Sequence, residues 1–101
     1  SLDIRLLEKH PQSTQVFVPM NAHRYPVIVA LGENEPDLST LKAFVAKPNQ
    51  AISYHPGVWH HPMVGLESWT DFVCLTYEDN SSMDCVVHQI PESQQVQVQF
   101  A

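Results

Sequence analysis

The sequence is poor in positive charge. Its 101 residues hold five Lys and Arg against 11 Asp and Glu, which gives a formal net charge of −6. Nucleic acids and anionic membrane surfaces attract basic patches, so this balance argues against both as partners. No apolar run approaches the roughly 20 residues that span a bilayer. We therefore expect a small-molecule ligand, with no nucleic acid and no membrane as partner.

Cysteine is also scarce. Cys74 and Cys85 are too few for a disulfide framework and do not have Cys-x-x-Cys spacing. Cys74 lies in the apolar run DFVCL and is expected in the core, whereas Asp84-Cys85 resembles a nucleophile beside a base. No histidine is fixed next to that pair, so a catalytic thiol is the less favoured interpretation. The first residues, SLDIRLLEKH, lack the basic and apolar regions of a signal peptide, which predicts a cytoplasmic location.

What the chain does have is a supply of apolar residues, 44 %, sufficient for one core, and we predict a single domain over residues 1–101. Alternating and β-branched runs separated by turn residues predict an all-β fold, an antiparallel barrel or sandwich. PDLSTL (36–41) is expected to form one helical turn capped by Asp37 or Ser39. The predicted strands are QVFVP (15–19), PVIVAL (26–31), KAFVA (42–46), AISYH (51–55), TDFVCLTY (70–77), DCVVHQI (84–90) and QVQVQF (95–100). The last should bury one face, at an edge or against a second subunit.

Three histidines crowd into ISYHPGVWHHPM (52–63). Imidazole is a common metal ligand and proton carrier, although a histidine on a strand is often only a hydrogen-bonded structural residue. Successive side chains of a strand face opposite sides, so His60 and His61 cannot both point into a barrel. The Pro-Gly pair favours a turn that aims His60. Trp59 suits a pocket wall or a buried core equally well.

Pro-Gly-x-x-His resembles the second motif of the cupin superfamily, in which such a turn delivers a histidine to a metal inside a small β-barrel. The first cupin motif is similar to EKHPQSTQVFVPM (8–20), with Glu8 and Gln15 in place of the usual ligands. Carboxylate, imidazole and amide oxygen suit a divalent ion. The resemblance thus implies a metal site formed by Glu8, His10, Gln15 and His60.

Taken together, EKHPQSTQVFVPM, VIVALGENEPDLSTLKAF, YHPGVWHHPM, TDF and Asp84-Cys85 resemble the ureidoglycolate lyase family. The resemblance implies a cupin-like β-barrel, a homodimer, and a carbon–nitrogen lyase that splits ureidoglycolate into glyoxylate and urea in allantoin and purine catabolism, with a divalent ion such as nickel. Family members carry a further N-terminal segment, which this chain is expected to lack. The alternative is a non-catalytic cupin-like module or paralogue that binds a small carboxylate.

The reaction needs a base for the substrate hydroxyl and an acid for the departing urea nitrogen. With a metal acidifying the hydroxyl, His61, His55 or Tyr54 is expected to relay the proton. Bacterial members carry an Asp-Arg pair where this chain has Thr76-Tyr77, so another cation is expected to hold the substrate carboxylate. The resemblance therefore implies catalytic residues His60, His61 and Tyr54, and substrate-binding residues Arg24, His23, Trp59 and His55.

Overall fold

A computed structural model describes residues 1–21, 23–66, 69–76 and 84–100. Those residues form an antiparallel β-fold of ten strands with one short 3₁₀ helix, Glu92–Gln94, which confirms the predicted all-β class. The strands are β1 Leu2–Ile4, β2 Leu6–Lys9, β3 Gln15–Pro19, β4 Tyr25–Leu31, β5 Asp37–Ala46, β6 Ile52–Tyr54, β7 Trp59–His60, β8 Phe72–Thr76, β9 Val86–Gln89 and β10 Val96–Val98.

The strands form three sheets. The largest has the order β5-β4-β7-β2-β9, the second has the order β6-β3-β8, and β1 pairs with β10. Every pairing among these strands is antiparallel. The short strand β7 lies in the middle of the five-stranded sheet, between β4 and β2, so its side chains are held from both sides.

The larger of two hydrophobic clusters among the described residues lies on one face of the five-stranded sheet, and a smaller one contains Tyr25 and Ala46. Trp59 on β7 and Leu7 on β2 are fully buried in the larger cluster, because in each strand the apolar residue alternates with a polar neighbour on the other face. The indole N–H of Trp59 donates to the carbonyl oxygen of Gly32 at 3.2 Å. Fully burying such side chains stabilises the fold by roughly 1.5–3 kcal/mol each. The buried residues of the larger cluster are Ile4, Leu7, Ile28, Ala30, Trp59 and Ile90.

The predicted helical turn at PDLSTL is wrong, because strand β5 begins at Asp37 and pairs with β4. Pairing with β4 outweighs the weak local preference of a six-residue segment. Asp37 nevertheless accepts hydrogen bonds of the kind that a capping residue forms. One of its carboxylate oxygens accepts from the backbone N–H and from the hydroxyl of Ser39.

The predicted core position of Cys74 is also wrong, because the side chain is exposed. Strand β8 lies at the end of its sheet, with β3 on one side, and an apolar run at such a position need not be covered. Tyr77, the last residue of the predicted strand 70–77, lies outside the described residues. The alternation of QVQVQF is confirmed, since its Gln side chains are exposed and its Val side chains are half-buried against β1.

The short strands β1 and β2 were not predicted as strands. Each has only three or four residues, which is too short for a reliable periodicity. No helix within the described ranges is long and apolar enough to cross a membrane. The cytoplasmic location and the domain boundaries 1–101 stay predictions.

Candidate metal centre

Two cross-strand pairs from different sheets build the site. In the five-stranded sheet Glu8 lies directly opposite His60, and in the three-stranded sheet Gln15 lies directly opposite Tyr54. Directly opposite residues of antiparallel strands project from the same face, with Cβ atoms about 5 Å apart. His10 follows β2, on the connection that leads to β3 and Gln15. The topology therefore brings all four predicted ligand residues to one region.

The predicted Pro-Gly turn is confirmed. The N–H of Val58 donates to the carbonyl oxygen of His55 at 3.3 Å, and Gly57 has a φ of 79°, as the third position of a type II turn requires. The N–H of Gly57 donates to the carbonyl oxygen of His10 at 2.9 Å. This hydrogen bond attaches the turn that leads into His60 to the backbone of His10.

Glu8, His10 and His60 form a group with metal-ligand geometry. One ligand atom from each residue lies within 4.8 Å of the others. The Nε2 atom of His60 is 3.6 Å from a carboxylate oxygen of Glu8, too long for a good hydrogen bond. The two imidazole rings are stacked with centroids 5.5 Å apart. The three side chains thus converge without satisfying one another.

The tautomer that each imidazole adopts when it is neutral can be inferred from its hydrogen-bond partner. Nδ1 of His10 is 2.9 Å from the carbonyl oxygen of Asp84, and Nδ1 of His60 is 3.1 Å from that of Val58. A carbonyl oxygen only accepts hydrogen bonds, so each Nδ1 carries the proton and each neutral ring keeps its lone pair on Nε2. This is the tautomer of a metal-ligating histidine whose other nitrogen is held by a backbone carbonyl.

Among the residues that the structure describes, three buried polar atoms have no hydrogen-bond partner: Nε2 of His10, Nε2 of His60 and Oε1 of Gln15. Leaving a buried acceptor unsatisfied costs about 1–3 kcal/mol, so each of these atoms needs an explanation. A divalent cation accepts electron pairs from all three atom types, and the Glu8 carboxylate supplies negative charge. The residues present therefore fit a divalent ion.

Burial controls the ionisation of the site. His60 is 1 % exposed, and this burial lowers its pKa, an effect that its hydrogen bond to Val58 and the charge of Glu8 only partly oppose. The imidazole is consequently neutral near pH 7, as a metal ligand must be. Burial raises the pKa of Tyr54 far above its usual value, with smaller contributions from Tyr25 and Glu8, so its phenol stays protonated.

The remaining predicted residues occupy different surroundings. Trp59 is in the hydrophobic core, on the opposite face of β7 from His60, so the core interpretation holds for its indole. His61 is half-buried, and its backbone N–H donates to the carbonyl oxygen of Ile28 at 3.0 Å. His55 and His23 are exposed, and Arg24 is half-buried between β3 and β4. Their roles with substrate stay predictions.

The part that Asp84 plays in holding the site together was not identified from the sequence. The carboxylate of Asp84 accepts hydrogen bonds from the N–H of Gln12 and the hydroxyl of Ser13, both at 2.6 Å. The sequence signal was only the Asp84-Cys85 pair, noted for a possible thiol. Partial burial and the charges of Glu8 and Asp84 raise the pKa of Cys85, which disfavours a reactive thiolate.

Comparison with known proteins agrees with this geometry. The sequence profile described as ureidoglycolate lyase matches residues 1–98. The chain belongs to the ureidoglycolate lyase family. Proteins named ureidoglycolate lyase from Salmonella typhimurium and Salmonella newport are each 51 % identical to it over 85 residues, which is 84 % of this chain and 52 % of theirs. The namesake from Escherichia coli O1:K1 / APEC is 46 % identical over 93 residues, 92 % of this chain and 57 % of its own length.

Membership in the ureidoglycolate lyase family confirms the resemblance drawn from the sequence motifs. The chain spans about half the length of the curated relatives it matches. The residues that the family profile matches, 1–98, include every predicted ligand of the candidate metal centre.

Proposed function

We propose that this chain cleaves ureidoglycolate to glyoxylate and urea, as a carbon–nitrogen lyase of allantoin and purine catabolism. The observation that carries the proposal is the convergence of Glu8, His10 and His60, in a member of this family, with two Nε2 lone pairs left unpartnered. Ureidoglycolate is a 2-hydroxy acid, so it offers a hydroxyl and a carboxylate oxygen side by side. Such a pair suits a site with open coordination positions.

The reaction is the collapse of a carbinolamide. The hydroxyl loses its proton, its oxygen forms the aldehyde C=O bond, and the C–N bond to urea breaks. The urea nitrogen keeps the electron pair of the broken bond and takes up one proton, so one base and one acid are sufficient. The protein has to bind the substrate, orient its hydroxyl and move one proton to nitrogen.

The metal that we propose is a divalent ion, with nickel as the first candidate, held by Glu8, His10, Gln15 and His60. When bound, such an ion polarises the substrate hydroxyl and lowers its pKa. The support for these ligands is the neutral tautomer of both histidines and the unpartnered amide oxygen of Gln15.

Tyr54 is the best-placed proton donor among the three relay residues predicted. Its ring stacks on His60, beside the proposed ligands. Burial raises the pKa of its phenol, so the group holds its proton until the departing urea nitrogen, a stronger base, takes it. Within the described parts of the chain the hydroxyl of Tyr54 contacts the weak acceptor Sδ of Met63, at 3.8 Å, which leaves the proton available for a better acceptor. We propose His61 and His55 as the residues that return a proton to Tyr54.

Arg24 and His23 are proposed to bind the substrate carboxylate, since a guanidinium or imidazolium pairs well with it.

We also propose a homodimer. Val73 and Leu75 on strand β8 are 41 % and 58 % exposed, and exposed apolar side chains on a strand at the end of its sheet favour contact with a second copy. Size-exclusion chromatography with light scattering measures the mass directly, and a monomer over the micromolar range would contradict this assembly.

The experiment that tests the function is glyoxylate release from racemic ureidoglycolate. The purified chain is stripped of metal and then resupplied with nickel, manganese or zinc, and the spontaneous release is subtracted. We expect release only with metal. Release from the stripped chain would retain the lyase and remove the metal from the proposal.

The His60→Asn variant is the matched control, because it removes the ligand and keeps a polar side chain. It should release no glyoxylate above background while its circular dichroism matches the parent. A folded parent chain that releases none under any condition would favour the non-catalytic module that binds a small carboxylate.

A further inference from the structure

Asp84 contacts three residues of the β2–β3 connection: His10, Gln12 and Ser13. Its two carboxylate oxygens accept from the N–H of Gln12 and the hydroxyl of Ser13, and its own backbone carbonyl accepts from Nδ1 of His10. His10 and Asp84 are 74 positions apart in the chain. Asp84, which lies two residues before strand β9, therefore anchors the connection that carries a proposed metal ligand.

The contact with Ser13 is partly buried. Ser13 is 6 % exposed, so its hydroxyl needs a partner in the folded chain, and Asp84 supplies it. Both carboxylate oxygens of Asp84 therefore act as acceptors, Oδ1 for the N–H of Gln12 and Oδ2 for the hydroxyl of Ser13. Charge-assisted hydrogen bonds of this kind are about twice as strong as neutral ones.

The backbone carbonyl of Asp84 decides which nitrogen of His10 is protonated. With Nδ1–H donated to this oxygen, the lone pair of the neutral ring is on Nε2, the atom left unpartnered beside His60 and Glu8. If the carbonyl moved away, the ring would be free to rotate and to take the other tautomer, with the proton on Nε2. That form cannot bind a cation through Nε2.

We propose that Asp84 is a positioning residue, which fixes the orientation and the tautomer of His10 by tying residues 12 and 13 to its carboxylate and Nδ1–H to its carbonyl. The inference rests on the proposed metal centre for the function of this positioning. The positioning itself is argued from the hydrogen bonds of Asp84 alone. Hydrogen-bond partners of metal-ligating histidines typically change metal affinity by 10- to 100-fold when they are removed.

The test measures the ring tautomer without metal or substrate. Long-range proton–nitrogen NMR spectra of the ¹⁵N-labelled, metal-free chain at pH 8 distinguish protonated from unprotonated ring nitrogens, and a His10→Gln variant assigns the signals. In the parent we expect His10 to be protonated at Nδ1. In Asp84→Ala the signals should move toward the other tautomer or toward a mixture. The affinity for Ni²⁺, measured by titration calorimetry, should fall 10- to 100-fold.

Two variants separate positioning from a general loss of structure. Asp84→Asn retains a side-chain oxygen for the N–H of Gln12 and an amide that donates to the hydroxyl of Ser13, so it should restore the parent tautomer. Asp71→Ala is the matched control, because Asp71 also tethers a distant segment through its side chain, in this case at Asn21. It should leave the His10 signals unchanged.

A folded Asp84→Ala chain with parent-like His10 signals would overturn the inference, as would a parent chain in which Nε2 carries the proton. If Asp84→Ala does not fold, Ser13→Ala removes one of the two side-chain tethers and should shift the tautomer in the same direction by a smaller amount. If the parent binds no metal, the proposed centre fails, whereas the tautomer measurement still decides whether Asp84 positions His10.

Discussion

The phenol ring of Tyr54 lies nearly parallel to the imidazole of His60, with ring centroids 4.2 Å apart and an angle of 11° between the planes. Tyr54 ends strand β6 of the three-stranded sheet, and His60 ends strand β7 of the five-stranded sheet. The stack therefore joins the two sheets at the metal centre. It restricts rotation of the imidazole and places a protonated hydroxyl next to the proposed substrate position.

Two substitutions of Tyr54 should separate these roles. Tyr54→Phe keeps the stacked ring and removes the hydroxyl, so we expect unchanged Ni²⁺ affinity and glyoxylate release reduced by about 100-fold or more, the range of general acid catalysis. Tyr54→Leu also removes the stack and should weaken metal binding. Calorimetry and the glyoxylate assay measure both quantities. Parent-like turnover by Tyr54→Phe would transfer the acid role to His61 or His55.

Adjacent histidines on opposite sides of the backbone should respond differently to substitution. His60→Asn should lose Ni²⁺ binding and activity together, because it removes a ligand atom. His61→Asn should retain Ni²⁺ binding, and its activity should fall if His61 relays the proton. Calorimetric titration of both variants, with circular dichroism as the folding control, makes the comparison. Loss of metal binding in His61→Asn alone would mean that the two histidines have been assigned in reverse.

The sequence predicted the grouping of Glu8, His10 and His60 because these residues lie in two short motifs with the spacing of a known family. Strand alternation then indicated that only one of His60 and His61 can face the interior. Alternation could not choose the core for Trp59, because that choice depends on β4 and β2 enclosing β7. Asp84 was not recognised, because a contact 74 positions away leaves no local pattern. PDLSTL became a strand for the same reason: the decisive partner, β4, lies elsewhere in the chain.

The stability of the metal-free chain should depend on pH through His60. Burial lowers its folded-state pKa below the ordinary value of 6.5, so the unfolded chain binds a proton more readily. The free energy of unfolding is then greatest above about pH 6.5 and falls as the pH drops below it toward the folded-state pKa, by at most about 1.4 kcal/mol per pH unit. Urea titrations between pH 7.5 and pH 5 measure this fall. His60→Asn should lose that part of it, and an equal slope in the variant would assign it to other groups.

Trp59 should matter for stability rather than for substrate. Trp59→Phe removes the hydrogen bond to the Gly32 carbonyl and part of the buried volume, and should lower the free energy of unfolding by about 1–3 kcal/mol. Trp59→Ala should cost about 3–5 kcal/mol. The KM of the phenylalanine variant should equal that of the parent. A raised KM without a loss of stability would return Trp59 to the wall of the substrate pocket.

The two glycines with positive φ should differ in what alanine costs. At Gly32, with φ 138°, an added Cβ would overlap the carbonyl oxygen of Glu35 and lie 2.9 Å from the backbone nitrogen of Asp37, so the backbone has to move. At Gly57, with φ 79°, no described atom outside Gly57 and its two chain neighbours lies within 4 Å of the added Cβ, and the cost is the left-handed conformation alone, about 1–2 kcal/mol. Urea unfolding of Gly32→Ala and Gly57→Ala compares them. We expect the larger loss at Gly32, whose carbonyl also accepts the indole N–H of Trp59; a larger loss at Gly57 would mean that the turn before His60 is under strain of its own.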